Sequence, residues 1–187
     1  MQAVAAALRW TGQTFLERLV TISMYQASVP VFLNMLKGLS LVLSKGDAYA
    51  AEKGTDPQAL IDARLAPDMF PLARQVQIAT DHAKGASSRL AGREVPKFED
   101  TENTFAELQA RIGKTTDLLG TFRPEDIDGS DERTIVIPMR TGERSFTGMT
   151  YLLHFAMPNF YFHVTTAYDI LRHNGVLLGK TDFFGVR

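Results

Sequence analysis

The chain has 187 residues, 45% apolar and 22% charged, with a formal net charge of -1; this fits one globular domain with a full core and leaves no basic excess for a phosphate backbone. No run of Lys and Arg interleaved with aromatics occurs, so nucleic acid is excluded as a partner. The complete lack of cysteine excludes disulfides, thiolate metal sites and a cysteine nucleophile, and suits a cytoplasmic location.

Residues 1–21 open on an apolar AVAAAL, but no basic segment precedes it, and Arg9, Glu17 and Arg18 interrupt the stretch after it. This is a poor signal peptide and reads as an N-terminal extension, an extra helix or an upstream start, ahead of a single domain over residues 22–187. The longest apolar run, VPVFLNMLKGLSLVLS, is broken by Asn34 and Lys37 and is too short to cross a membrane.

Within it, Ser28, Val29 and Pro30 open a first long helix in which Phe32, Leu36, Leu39 and Leu43 keep helical spacing until Gly54. Asp56 and Pro57 then provide an N-cap and a first-turn proline for a short helix through Arg64. A second long helix is predicted from Pro71 to Leu90. Its stripe of Leu72, Val76, Ala79, Ala83, Ala86 and Leu90 is rich in small residues, which permits close packing, and Gly92 stops it.

After a loop containing Val95 and Pro96, Thr104 and Glu107 have the spacing of a capping box, and Phe105, Leu108, Ile112, Thr115 and Leu119 extend a third long helix to Gly120. The period then changes. Arg133, Ile135, Ile137 and Met139 alternate with Thr134, Val136 and Pro138, and Thr141-Gly142 leads into Glu143 to Thr147, the pattern of a two-stranded hairpin whose proline marks an edge.

The last segment, Thr150 to Gly175, holds three of the four histidines. Thr147 is a candidate N-cap and Asn174-Gly175 a left-handed C-terminal turn. Pro158 removes a backbone donor and clashes with the preceding turn, which predicts a kink or a split into a helix over 148–156 and a longer one from about Pro158. Phe160, Val164, Ala167 and Leu171 form its apolar stripe, and Asn159 and His163, four apart, share one flank of it.

These elements predict an all-α fold, a four-helix bundle with a short extra helix and a small hairpin before the last long helix, with any site built between facing helices. His82 flanks the small-residue stripe of the second helix and can meet His163 if the two helices are neighbours. A pair at i, i+4 plus one residue from another helix is an economical way to bring three metal ligands together, but asparagine is a feeble ligand for zinc or nickel. Asn159, His163, Tyr161 and His154 are the candidate lining of a small-molecule pocket. Asp81, Lys84 and Asp169 read as solvated surface, and His173 as a cation complementing the helix dipole. No glycine-rich phosphate loop, nucleophile elbow or HExxH occurs.

The segments SMYQASVPVFLNML, RLAPDMFPLARQVQIATDHAKG, FEDTENTFAELQARI and HFAMPNFYFHVTTAYDILRHNGV resemble an uncharacterised bacterial and fungal domain-of-unknown-function family within the DinB/YfiT-like superfamily, over roughly Ile22 to Gly185. That resemblance implies a DinB-like bundle, commonly a homodimer. It also implies a nickel, zinc or similar divalent site made by one histidine on the second helix and a histidine-x-x-x-histidine pair on the last. His163 matches the second histidine of that pair and Asn159 stands in the slot of the first. The second-helix slot falls on His82 or, in a shifted register, on Gln77 or Ile78. Three functions are compatible with these residues: a small-molecule binder with a degenerate metal triad; a divalent-metal-dependent transferase, isomerase or hydrolase using His82, His163 and Asn159; and a non-catalytic homo-oligomeric interaction protein.

Overall fold

In the computed structural model, which describes residues 21–139 and 142–185, the described residues run through eight α-helices, one π-helical turn and one hairpin: α1 (Val29–Lys53), α2 (Pro57–Ile61), α3 (Leu72–Leu90), α4 (Phe105–Leu119), α5 (Pro124–Ile127), β1 (Thr134–Met139), β2 (Gly142–Thr147), α6 (Gly148–Tyr151), the π turn (Leu152–Ala156), α7 (Met157–His173) and α8 (Lys180–Phe183). The extension expected over residues 1–21 falls outside the described residues except for its last member, and so does Thr141 of the expected hairpin turn.

Local chemistry explains the helix ends. Asp56 accepts from the Gln58 amide at 3.0 Å, and the Thr104–Glu107 capping box forms in both directions, at 3.2 and 3.0 Å. Gly54 closes α1 with φ +62, in the left-handed region that a Cβ disfavours.

The predicted stripes face one another around a common core. Val76, Ala79, Ala83, Ala86 and Leu90 of α3 are fully buried, as are Phe160, Ala167 and Leu171 of α7. The alanines let α7 approach α3 closely, and this is the most extensive helix–helix contact; α4 covers another side of α3, and α1 packs on both α4 and α7. Phe32 of α1 meets the Phe160 ring edge-on at 4.9 Å, tying the first long helix to the last.

The disturbance at Pro158 takes a specific form. Residues Leu152–Ala156 make a π-helical turn between α6 and α7, in which the Met157 amide donates to the Leu152 carbonyl five residues back. Widening the turn in this way accommodates a proline that can neither donate nor sit close to the preceding carbonyls. The path from α6 to α7 is therefore continuous.

Strands β1 and β2 pair antiparallel, Ile135 opposite Phe146 and Pro138 opposite Glu143. Ile135, Ile137 and Phe146 turn inward, and Phe146 packs against Tyr151 and Phe155 at centroid distances of 6.0 and 5.4 Å. The two strands thus gain the hydrophobic support that an isolated hairpin lacks. No described helix is long and apolar enough to cross a membrane.

Candidate functional site

Gln75, His82 and Arg89 stand seven residues apart on α3. Seven residues fall about 20° short of two full turns, so the three project from nearly one line along the helix. Each meets the α6–α7 segment. Gln75 pairs with His163, the His82 ring lies 5.9 Å from that of His163 and 6.0 Å from that of Phe155, and Arg89 donates to the Tyr151 hydroxyl at 3.2 Å.

The Gln75 amide determines the state of the His163 ring. Its Nε2 donates to the Phe70 carbonyl at 3.0 Å, which leaves Oε1 to accept from His163 Nδ1 at 2.7 Å. The hydrogen is thereby assigned to Nδ1, and Nε2 keeps its lone pair. Fixing one ring nitrogen so that the other is free is also how proteins prepare a histidine for a metal or a polar ligand.

Both imidazoles are held neutral. Burial, then the positive charge of Arg74, lowers His163 to a pKa of about 4. Burial, then the neighbouring His163 and the Arg89 charge, lowers His82 to about 4 against the opposing pull of Asp81. At neutral pH the pair offers lone pairs and N–H donors without charge.

Asn159 is half-buried one turn before His163, and its amide nitrogen donates to the Phe155 carbonyl of its own helical segment at 2.6 Å. His154 is exposed on the π-helical turn. Tyr161, 37% exposed, points from a different face of α7 than His163, as its two-residue offset requires. The His82 and His163 rings are thus brought together, while Asn159 bonds within its own helical segment and His154 and Tyr161 are turned elsewhere. Phe162 meets the His163 ring edge-on at 5.2 Å.

Two rings sharing one ion with nitrogens about 2.0 to 2.1 Å from it would have centroids roughly 5 to 6.3 Å apart, and the pair falls in that span. A third ligand is the difficulty. Among the described residues no group of three His, Cys, Asp or Glu converges, and the Asn159 amide nitrogen is taken by a backbone carbonyl. The residues present do not make up a three-ligand divalent site.

Lys84 departs from expectation, being 4% exposed instead of solvated. Its ammonium lies over the Phe98 ring at 4.2 Å and pairs with Asp81 at 2.9 Å. Asp81 also meets Arg111 of α4, whose buried guanidinium binds Asp100, Glu102 and Thr80 as well. This network fastens the loop before α4 to α3 on the side away from the histidines.

A helical protein of this plan, with a hairpin ahead of its last long helix and histidines facing each other from α3 and α7, is DinB-like. It is similar to a DinB family member protein from Shewanella denitrificans known from its crystal structure, with 42% identity and a TM-score of 0.80 over 87% of this chain and 92% of that one. Residues 24–184 match the family described as "Domain of unknown function (DUF1993)", and the chain belongs to that family. No curated protein matches it.

Proposed function

We propose that this chain is a DinB-like four-helix bundle of α1, α3, α4 and α7 that binds a small polar molecule at His82 and His163, on the remnant of a divalent-metal triad. The observation that carries this reading is the Gln75–His163 hydrogen bond. Polar atoms are oriented in an interior only at a cost in conformational freedom, and here an amide held at both ends presents one neutral imidazole beside another. Phe155 and Phe162, packed against the two rings, supply aromatic surface for an organic ligand.

The alternative, a metal-dependent transferase, isomerase or hydrolase, draws support from the 5.9 Å separation of the rings and is weakened by the missing third ligand. A homodimer in the cytoplasm fits the cysteine-free composition and the exposed Tyr161, 37% accessible, which points from a different face of α7 than His163. Protein purified without a histidine tag separates these readings. The expected result is no stoichiometric nickel or zinc after desalting, together with shifts of the His82 and His163 ring resonances on adding members of a polar-fragment library, lost in His163→Ala. One equivalent of metal bound by the wild type and lost in that variant establishes the metal reading instead. Metal-free protein whose ring resonances respond to no fragment leaves the homo-oligomeric interaction role.

A further inference from the structure

Helix α3 carries three cations, and two of them are compensated, Arg74 by Asp100 and Lys84 by Asp81. Arg89 is the exception. It is half-buried, and among the described residues no carboxylate lies within 4.0 Å of it. Its partner is neutral, the hydroxyl of the fully buried Tyr151, which accepts from Nη1. Most of the guanidinium's donors are unused, since among the described residues Nε and Nη2 donate to nothing. The Nε–Nη2 edge is one to which a carboxylate binds with paired, parallel hydrogen bonds.

The guanidinium is directed toward the histidines. Side chains on a helix lean toward its N-terminus, and Arg89 leans back over Gly85, where a Cβ would overlap Nη1. Gly85 is buried and stands between His82 and Arg89 on α3, so its missing side chain gives the cation room on the line that leads to His82. The charge is felt there, as one cause of the lowered His82 pKa. The half-buried Phe155 ring joins the two ends, 5.9 Å from Tyr151, the arginine's partner, and 6.0 Å from His82. Asp81, the one carboxylate of α3, is already held by Lys84 and Arg111. An uncompensated cation therefore stands beside two neutral imidazoles, with an aromatic ring between.

We infer that the ligand of the histidine pair is an organic carboxylate, its anionic end held by the Nε–Nη2 edge of Arg89 and its other polar groups by His82 and His163. This rests on the small-molecule reading above and names the class of molecule. A single positive charge beside two neutral rings matches a monoanion, and the planar fork of arginine matches a carboxylate. A partly buried cation without a counterion costs free energy, and a bound carboxylate recovers it. Tyr151 is a positioning residue, holding the guanidinium through Nη1, and Phe155 offers apolar contact to the ligand's carbon skeleton.

The test follows the His82 and His163 ring resonances while the full chain is titrated with acetate and acetamide, and with benzoate and benzamide, at constant ionic strength set with chloride. The members of each pair share a shape and differ in charge. Saturable shifts are expected for at least one carboxylate, with its amide about tenfold weaker or more, as loss of charge-assisted hydrogen bonds implies. Arg89→Gln should bring the carboxylate down to its amide and leave the amide unchanged. Gly85→Ala, which suits a helix and displaces the guanidinium, should act in the same direction in a protein that folds. An amide that binds as well as its carboxylate would overturn the inference, as would equal loss of both, or no loss, in Arg89→Gln. Silence from both carboxylates while neutral fragments move the rings overturns it too, and leaves the small-molecule reading standing. If no fragment of any charge moves them, both fall.

Discussion

Gln75 and His163 are joined by a 2.7 Å hydrogen bond across the seam between α3 and α7, 88 residues apart in sequence. The bond assigns the imidazole hydrogen to Nδ1 only because the other end of the glutamine amide is taken by the Phe70 carbonyl. One side chain thus fixes a helix pairing, a loop and a tautomer together.

Gln75→Leu keeps the volume roughly and removes both bonds. Stability should fall by about 1 to 3 kcal/mol, the cost of leaving buried polar groups unpaired. Nitrogen NMR of the His163 ring should show the hydrogen shared between Nδ1 and Nε2 in place of residing on Nδ1. An unchanged tautomer would mean that the amide does not set it.

Acid should weaken the fold before the carboxylates titrate. In the unfolded chain His82 and His163 take up protons near pH 6.5, whereas in the fold both wait until about 4. The unfolded state therefore binds more protons between those values, so stability is full above about pH 6.5 and declines as pH falls toward 4. The limit is about 3 kcal/mol per ring at 1.36 kcal/mol per unit, reduced by solvent screening where the rings are partly open. Urea midpoints at about pH 7 and about pH 5 should differ in the wild type and much less in a His82→Gln, His163→Gln double variant. Equal pH slopes in the two proteins would rule out the histidines as the cause.

Much of this site was legible in advance, and the illegible parts share a reason. Val76, Ala79, Ala83 and Ala86 recur at a helical period and are all buried, so the face that receives α7 was readable, and with it the flank carrying His82. Gln75 and Arg89 are polar residues beside that stripe, and polar flank residues look solvated until a partner is placed opposite them. Their seven-residue spacing around His82 was the available signal. Lys84 reads as surface because its cover, Phe98, comes from an irregular loop that no periodicity on α3 registers, whereas Asp81, 37% exposed, is at the surface as expected while it pairs with Arg111 of α4. Pro158 announced a disturbance, but whether the backbone kinks, splits or widens into a π turn depends on tertiary packing.

Arg111 should be among the costliest positions outside the core. Its side chain is 1% exposed and its carboxylate partners Asp81 and Asp100 are 37% and 36% exposed. Arg111→Met leaves Asp81, Asp100 and Glu102 crowded without their shared cation. A loss of about 3 kcal/mol is expected, the low end for breaking a buried pair, because the carboxylates can recover some hydration. Arg111→Lys should recover only part of it, since a point charge cannot span acceptors on several sides. A change below about 0.5 kcal/mol in chemical denaturation, the range of ordinary surface substitutions, would show that the network adds no stability.

Gly148 tests how the hairpin end positions Tyr151. It opens α6 directly against the turn that ends at Asp131, where the Met149 amide donates to the Asp131 carbonyl at 2.9 Å. A Cβ at position 148 would overlap the Ser130 carbonyl oxygen and stand 2.9 Å from its carbon. Both are backbone atoms, which cannot swing aside as a side-chain tip can. Gly148→Ala should therefore cost about 1 to 3 kcal/mol, as overpacking does, by lifting α6 from the turn. Because Tyr151 lies one turn further on and receives the Arg89 hydrogen bond, its ring signal should shift in the variant even under conditions where the fold persists. A Gly148→Ala protein with wild-type stability and an unmoved Tyr151 resonance would mean that the turn, not α6, yields to the methyl group.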